Sequence, residues 1–231
     1  MTNTVFIGLE GHDGTGKSTL QKNVAALLNA AIYDVRKEGK SFKQQRDELY
    51  MKTPLGFLDM IAEVYRNESQ FLRDHFCADD IVILDRTWVS HATEENLLWR
   101  EQGIERYFEM FPVGNSPKQN VFNGNGDCIY PPFFYPDGVI QPDIIIEVIL
   151  EESTRVQRIS KRANLNPREL RLAEDLDYRL AIEIERQKFG CKPLRIRERD
   201  PKESALRALQ YILASEKVNP RKIDFSHLSQ M

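Results

Sequence analysis

Short apolar runs alternate along the chain with segments whose apolar residues recur at helical spacing. Residues 80–85 (DIVILD) and 143–150 (DIIIEVIL) are nearly continuous apolar runs, as in strands that are buried on both faces of a parallel sheet. Residues 5–9, 31–35 and 193–196 are shorter runs that predict further strands. Five strands separated by helical segments predict an α/β fold in which helices cover both faces of a parallel sheet.

Helices are predicted between these strands from the spacing of apolar residues. One helical face follows the first strand and ends near Asn29, a second pattern covers residues 54–76, and a last amphipathic helix covers residues 204–213. The pattern suits one domain over residues 1–231. The apolar positions of the first helical face are Leu20, Val24, Leu27 and Leu28.

Residues 111–138 interrupt this alternation. The segment is dense in Gly, Pro and Asn and carries several aromatic residues. A loop of this length inside a domain is either functional or an excursion, so two interpretations stay open. The segment is an elaboration that packs its aromatics on the surface or on a partner chain, or it is a loop that faces a substrate. Its aromatic cluster is Tyr130, Phe133, Phe134 and Tyr135.

Composition narrows the classes of partner. The chain has 231 residues, of which 41% are hydrophobic, and its 32 Lys+Arg against 35 Asp+Glu give a net charge of −3. Because no global basic field exists, we expect no nucleic-acid polymer as partner, and any anion site must be local. No apolar run of about eighteen residues is present, so no membrane span is expected. The start of the chain lacks a signal-peptide pattern, and the cysteines form no CxxC motif, so we expect a cytoplasmic protein.

The segment after the first strand carries the clearest chemistry. Residues 11–18 read GHDGTGKS and fit the pattern G-x-x-x-x-G-K-[ST] at every fixed position. In such a loop backbone N–H groups surround the phosphates, Lys17 spans the β- and γ-phosphates, and the Ser18 hydroxyl binds Mg²⁺. The strand before it and the helix after it, from about Lys17, are the context that this motif requires. The sequence therefore predicts a site for nucleotide phosphates and Mg²⁺ at Gly11, Gly14, Thr15, Gly16, Lys17, Ser18 and Thr19.

A second signal stands at the end of the DIVILD strand, where Asp85 is followed by Arg86. The carboxyl end of a parallel strand opens onto the same crevice as the first strand–helix loop. An acid at this place can hold Mg²⁺, and an arginine can hold a phosphoryl group in transfer. We therefore expect Asp85 as a metal-binding residue and Arg86 as a catalytic one, together with Lys17.

Further motifs stand at the spacing of one kinase family. The phosphate loop carries an acid two residues past its first glycine, Asp-Arg is followed by a serine, and a Pro-Asp pair leads into the 143–150 strand. With these motifs the chain resembles the thymidylate kinases, which are P-loop nucleoside monophosphate kinases. The motifs are Gly11-x-Asp13-Gly14-x-Gly16-Lys17-Ser18-Thr19, Arg36-Lys37-Glu38-Gly39, Tyr65-Arg66, Asp85-Arg86 with Ser90, Gln141-Pro142-Asp143, and Arg158 with Lys161-Arg162.

The resemblance implies a P-loop NTPase fold, a three-layer α/β/α sandwich with a five-stranded parallel sheet and a helical lid at about 155–172. It implies transfer of the ATP γ-phosphoryl group to a nucleoside monophosphate, dTMP above all, and a homodimer. Asp13 would face the acceptor sugar, Arg36 and Arg66 would hold the acceptor phosphate, and Arg86 would lie between donor and acceptor. The implied acceptor-binding residues are Asp13, Arg36, Arg66, Arg86 and Ser90.

The lid is expected to supply an arginine to the reaction. Family members carry a catalytic arginine either in the phosphate loop or in the lid, and Gly14 takes the place of the loop arginine here. Arg155, Arg158 and Arg162 are spaced as on one helical face, and Asn166-Pro167 predicts the start of a new helix. We expect Arg162 to be the catalytic arginine. The other candidates are Arg158, Arg168 and Arg171.

The base-reading region departs from the family pattern, which leaves other functions open. Residues 58–66 contain no phenylalanine at the distance where the family stacks one on thymine, and residues 91–96 also differ. A deoxynucleoside kinase is one alternative, with Glu38 as the nearby candidate base. A nucleotide-binding regulatory protein is another. His12 and His91 are expected to be polar packing or base-site residues, because phosphoryl transfer asks little of a base.

Overall fold

The computed structural model describes residues 4–12, 14–32, 58–102, 135–161, 167–196 and 200–229, together with residues 42, 44, 45, 48 and 49. Within these ranges five strands form one sheet in the order β2-β3-β1-β4-β5, and every pair is parallel. The predicted five-stranded parallel sheet is confirmed. The strands are β1 Val5–Glu10, β2 Ala31–Ile32, β3 Ile81–Asp85, β4 Ile144–Leu150 and β5 Lys192–Ile196.

Helices connect the strands and cover the sheet. In the described ranges they are α1 Lys17–Leu28, α2 Leu58–His75, α3 Trp88–Gln102, α4 Glu152–Ser160, α5 Pro167–Glu174, α6 Leu176–Lys188 and α7 Pro201–Ala214, followed by 3₁₀ turns at Pro220–Lys222 and Phe225–Ser229. None of the described helices is long and apolar enough to cross a membrane.

The alternation of side chains along the strands explains the three layers. Ile7 and Ile146 belong to a core cluster with the apolar residues of α1 and α7, whereas Val82 and Ile145 pack on the other face of the sheet. That second face is covered by α2 and α3, which contribute Leu72 and Val89 to its clusters. Because both faces are buried, strands such as β4 are apolar at almost every position. The expected α/β/α sandwich is confirmed.

Helix ends follow local capping rules. α1 ends where Asn29 adopts a left-handed conformation with φ 48°, and its N–H donates to the carbonyls of Ala25 and Ala26. α7 begins after Asp200, whose carboxylate accepts from the backbone N–H groups of Lys202 and Glu203. The end that the sequence predicts near Asn29 is therefore confirmed, and the last helix begins three residues before the predicted 204–213.

Two helices, α3 and α6, were not predicted from the apolar pattern. α3 buries the polar side chains of Ser90, Thr93 and Glu94, and α6 buries Arg179 and Arg186. Polar residues on the buried face interrupt the apolar periodicity by which an amphipathic helix is recognised. The apolar pattern therefore does not indicate these two helices. Both lie next to the site described below.

A buried ion pair joins α6 to the sheet. Arg186 and Glu147 are both wholly buried, and Arg186 Nη1 donates to Glu147 Oε1 at 3.1 Å. Burial alone would lower the pKa of Arg186, but the carboxylates of Glu147, Glu10 and Glu94 raise it above its ordinary value. Burial also raises the pKa of Glu147 to about 7, against the opposing effect of Arg186. The guanidinium of Arg186 is therefore the positive charge that stabilises several buried carboxylates.

Replacing Arg186 with Met should destabilise the protein by about 3–5 kcal/mol, because Glu147 would be left buried without its partner. Urea denaturation measures the free energy of unfolding. The double variant Arg186→Met/Glu147→Met should recover a large part of the loss. Arg207→Met is the control, since Arg207 pairs with Glu203 on the exposed surface of α7 and should change stability by less than about 1 kcal/mol. Equal small effects for Arg186 and Arg207 would contradict the role given to the buried pair.

Candidate active site

The loop between β1 and α1 is built on glycines in conformations that other residues rarely adopt. Gly11 has φ 133°, and a Cβ at this position would lie 2.5 Å from the Val148 carbonyl oxygen of β4. Gly16 has φ 90° and immediately precedes α1. The chain therefore reverses tightly and delivers the amino-terminal end of α1 to the carboxyl edge of the sheet, where a helix end favours anions.

Lys17 lies over this loop. Its side chain is buried, and Nζ donates to the carbonyls of Gly11 at 2.8 Å and His12 at 3.2 Å. Ser18 and Thr19 follow in the first turn of α1 and are exposed. An ammonium at the helix start with hydroxyls beside it is the donor set that a phosphate loop requires, so the described residues of the loop fit the nucleotide site that the sequence predicts. Asp13 lies outside the described residues.

Asp85 and Arg86 stand beside the loop because β3 pairs with β1. Leu9 is the register partner of Asp85, and the Arg86 N–H donates to the Leu9 carbonyl at 3.0 Å. Among the described residues, Asp85 Oδ1 is buried without a hydrogen-bond partner. Carboxylate and hydroxyl oxygens are the protein ligands that Mg²⁺ prefers, so Asp85 and Ser18 fit the ion that the sequence implies.

Glu10 is a residue of this site that was not predicted. It is the last residue of β1 and is wholly buried. Its carboxylate accepts from Thr87 N at 2.7 Å, from Thr87 Oγ1 at 2.8 Å and from Ser90 Oγ. An acid that ends an otherwise apolar strand is the sequence signal that could have found it. The acceptor role of Ser90 stays a prediction, since its hydroxyl is donated to Glu10 in this structure.

The helix α4 packs directly on the phosphate loop. Arg158 Nη1 donates to the Gly14 carbonyl at 3.2 Å, and a Cβ at Gly14 would lie 3.1 Å from Ile159 Cγ1. Gly14 has φ 82°, so a side chain here would be both strained and crowded. Glycine therefore suits position 14 first by its backbone conformation and second by the closeness of Ile159.

The prediction that Arg155 and Arg158 share one basic face of the lid is wrong. Arg155 is buried rather than exposed, and it donates to Glu152 and to the Leu172 carbonyl at 2.9 Å. Arg158 is exposed, so these two arginines do not share one open face. α4 ends at Ser160. Arg162 lies outside the described residues, as do Arg36 and the side chain of Arg168.

The base of the lid is held by arginines and by the end of α5. Arg179 donates to the carbonyls of Leu172 and Ala173 and also pairs with Glu152. Arg171 stacks on Tyr178, with 3.7 Å between the guanidinium carbon and the ring centroid. Guanidinium groups at a helix carboxyl end complement its dipole. Of the lid arginines that the structure describes, Arg155 bonds to α4 and α5, Arg171 stacks on Tyr178 of α6, and Arg158 contacts the loop. The helix predicted to start at Pro167 is confirmed.

The helix α2 approaches the site beside Arg86. The Tyr65 hydroxyl donates to the Thr87 carbonyl at 2.8 Å and lies 2.8 Å from His91 Nδ1. Because a phenol has one proton, His91 Nδ1 is then the donor of the second hydrogen bond. Arg66 follows on the same helix, half-exposed, and donates to the Asp137 carbonyl at 3.0 Å and to Glu63. Arg66 thus directly follows Tyr65, which contacts Thr87 in the turn after β3.

The side chain of His12, a residue of the loop, is buried. Its Nε2 lies 3.7 Å from Glu183 Oε1 of α6. Burial first, and then the charges of Arg186 and Arg155, hold the pKa of His12 well below its ordinary value. The imidazole is therefore neutral at neutral pH, which fits the packing role that the sequence suggests. Glu183 also lines a cavity of about 800 Å³ at the carboxyl ends of β4 and β5, whose walls include Leu150, Leu180 and Ile196.

The aromatic residue Tyr135, near the end of the 111–138 segment, is half-buried against the core. Tyr135 contacts the cluster that contains Tyr65 and Trp88, and its ring meets Phe189 edge-on with 6.4 Å between centroids. Burial raises the pKa of the Tyr135 hydroxyl. Tyr135 therefore packs on a core cluster, and the two interpretations of the segment as a whole stay predictions. The remaining aromatics of the segment, Tyr130, Phe133 and Phe134, lie outside the described residues.

Comparison with known proteins gives a consistent result. No family model matches the chain. A probable thymidylate kinase from Thermoplasma acidophilum is 28% identical over 166 residues, which cover 71% of this chain and 74% of the relative.

Solved structures share the fold at low sequence identity. Thymidylate kinase from Candida albicans superimposes with a TM-score of 0.59 at 14% identity, over 97% of this chain and 98% of that one. Deoxyadenosine kinase from M. mycoides with bound dATP gives a TM-score of 0.52 at 15% identity, over 90% of this chain and 100% of that one. The chain thus has the fold of a P-loop kinase, and the resemblance to thymidylate kinases that its motifs indicate is confirmed.

Proposed function

We propose that the chain is an ATP-dependent nucleoside monophosphate kinase, with dTMP as the expected acceptor. The observation that carries the proposal is the pairing of β1 with β3. It sets the phosphate loop with Lys17 beside Asp85 and Arg86, and the Arg86 N–H is bonded to Leu9 at 3.0 Å. Two cationic residues, Lys17 and Arg86, on neighbouring segments at one sheet edge suit a donor and an acceptor that are both anionic. The sequence similarity to a probable thymidylate kinase supports the same reaction class.

The donor half of the site would work as follows. The ammonium of Lys17, now bonded to the Gly11 and His12 carbonyls, moves to the β- and γ-phosphate oxygens of ATP. Ser18 and Asp85 offer oxygens to Mg²⁺, which neutralises phosphate charge when bound. The cavity beside Leu180 and Ile196, whose walls also carry charged residues such as Glu183, is the proposed place of the donor base.

The transfer itself forms a bond between an acceptor phosphate oxygen and the γ-phosphorus while the bond from that phosphorus to the β-phosphate oxygen breaks. ADP is the leaving group. Charge accumulates on the oxygens of the transferring group, so guanidiniums that meet it there lower the barrier. Arg86 is proposed for this role, and Arg66 and Arg36 for the acceptor phosphate, with Asp13 toward the sugar and Ser90 nearby. Arginine suits both tasks, since its fork binds two phosphate oxygens at once.

A deoxynucleoside kinase is the second candidate. A deoxyadenosine kinase shares the fold over 90% of the chain, and the base-reading residues depart from the thymidylate kinase pattern. Its acceptor would be a sugar hydroxyl instead of a phosphate, with Glu38 as base. The two candidates differ in the charge of the acceptor, so a substrate panel separates them.

The proposal is tested by assaying nucleosides and nucleoside monophosphates with ATP and Mg²⁺. We expect transfer to monophosphates, dTMP among them, and none to nucleosides. Lys17→Ala should keep its melting temperature and lose on the order of a hundredfold or more in rate, since the ammonium stabilises the transferring group. Near-normal turnover by folded Lys17→Ala would contradict the assignment of the loop. Transfer to nucleosides alone would favour the second candidate, and ATP binding without transfer would favour a regulatory protein.

Arg66→Ala should raise the KM of the monophosphate acceptor strongly and the KM of ATP little, because Arg66 is assigned to the acceptor phosphate alone. Steady-state kinetics with each substrate varied in turn measure both constants. Arg73→Ala is the matched control on α2, since Arg73 also donates to the 135–140 segment, at the Gly138 carbonyl. If Arg73→Ala raises the acceptor KM as much as Arg66→Ala does, the assignment of Arg66 is wrong.

The lid arginines should separate by their effect on kcat. Arg162→Ala is expected to lower kcat by roughly a thousandfold with little change in either KM, because an arginine finger meets charge that develops in the transition state. Arg158 is the alternative, since its guanidinium already contacts Gly14. Arg171→Ala is the control, because its guanidinium is stacked on Tyr178. If kcat falls this far in Arg158→Ala alone, the lid hypothesis stands and Arg158, not Arg162, is the catalytic arginine. Parent-like turnover in Arg162→Ala, Arg158→Ala and Arg168→Ala alike would refute it.

A further inference from the structure

We infer that Glu10 is a positioning residue for Arg86: by accepting hydrogen bonds from Thr87 and Ser90, it holds the Arg86 backbone in the conformation that presents the guanidinium to the transferring phosphoryl group. The inference rests on the proposed function, in which Arg86 touches that group. Glu10 itself contacts the turn after β3 and acts through it.

The backbone of Arg86 needs such support. Arg86 has φ 67°, in the left-handed region that residues with a Cβ adopt at a cost in free energy. Two consecutive N–H groups of the turn are bonded to two consecutive residues of β1. The Arg86 N–H donates to the Leu9 carbonyl, and the Thr87 N–H donates to the Glu10 carboxylate at 2.7 Å. Hydrogen bonds from Arg86 itself and from the next residue, Thr87, therefore hold the strained backbone of Arg86 against β1.

Side chains of the turn and of α3 add further hydrogen bonds to Glu10. The Thr87 hydroxyl donates to the same oxygen of Glu10 as the Thr87 N–H does, at 2.8 Å, and the Ser90 hydroxyl donates to the other oxygen. Thr87 Oγ1 also accepts from the Val89 N–H at the start of α3. Glu10 immediately precedes Gly11, so one side chain links the origin of the phosphate loop to the turn that carries Arg86.

A carboxylate at this place needs a counter-charge, because the loop beside it is proposed to bind anions. Arg186 is wholly buried, and Glu10 is one of the carboxylates that raise its pKa. Glu147 is the register partner of Glu10 on β4 and is equally buried, but its bond runs to Arg186. Glu147 is therefore a control residue of the same type, burial and neighbourhood that makes no bond to the turn.

The first measurement requires no catalysis. We expect Glu10→Leu, which has no acceptor, to accelerate amide hydrogen exchange of Thr87 at least tenfold, as followed by NMR on the full chain. Glu10→Gln keeps an amide oxygen for the Thr87 N–H and should retain most of the protection. Glu147→Leu should leave Thr87 protection as in the parent. Unchanged exchange of Thr87 in Glu10→Leu would overturn the inference, whether or not the chain proves to be a kinase.

The second measurement is a double-mutant cycle on kcat. Glu10→Leu should lower kcat on the order of 10- to 100-fold, with ATP and acceptor KM changed less, and Glu10→Gln should recover most of that loss. In an Arg86→Ala background, Glu10→Leu should lower kcat by less than about threefold, because the residue that it positions is gone. Glu147→Leu should instead lower kcat by the same factor with or without Arg86.

The two arms separate the two hypotheses. If the parent transfers no phosphoryl group to any acceptor, the proposed function fails, and the exchange of Thr87 still decides whether Glu10 holds the turn. If the parent is active and Glu10→Leu lowers kcat equally in both backgrounds, the proposed function stands and the positioning role is wrong. Non-additivity with Arg86, together with rescue by Gln, supports it.

Discussion

The arrangement of the site depends on the pairing of β1 with β3. Parallel strands that are register partners end at the same edge of the sheet, so the pair Leu9–Asp85 sets the beginning of the glycine loop beside the turn that carries Arg86. The hydrogen bond from Arg86 to Leu9 extends this pairing by one residue beyond β3. Strand register is fixed by the burial of both faces, since a shift by one residue would turn Ile7 and Leu9 away from their cluster. The core therefore determines where these two segments meet.

The cost of this arrangement is charge inside the protein. β1 and β4 are apolar runs that carry Glu10 and Glu147 at paired positions, and Arg186 enters from α6 to neutralise them. Loss of the guanidinium alone is costly because it leaves buried carboxylates without a counter-charge. The same cluster joins α6, which follows the lid, to the strand that leads into the phosphate loop.

The sequence predicted those features that depend on local pattern. Apolar runs gave the strands, and the spacing of Gly11, Gly16 and Lys17 gave the loop, because glycine and lysine are required there by backbone geometry and charge. The partners of Glu10 and the burial of Arg155 depend on contacts between residues distant in sequence, and no local pattern encodes them. The apolar strands themselves carry a signal, since Glu10 ends one and Glu147 interrupts another, and a buried acid requires a partner elsewhere in the chain.

Gly14 connects the loop to the lid. A side chain at position 14 would be strained by the positive φ of 82° and would press on Ile159 of α4, so both features disfavour an arginine there. The same helix brings Arg158 to the Gly14 carbonyl. Position 14 is thus a glycine beside a helix that carries arginines of its own. Arg158 is the lid arginine among the described residues whose guanidinium bonds to the loop, so the contact between Gly14 and α4 places a positive charge of the lid beside the loop.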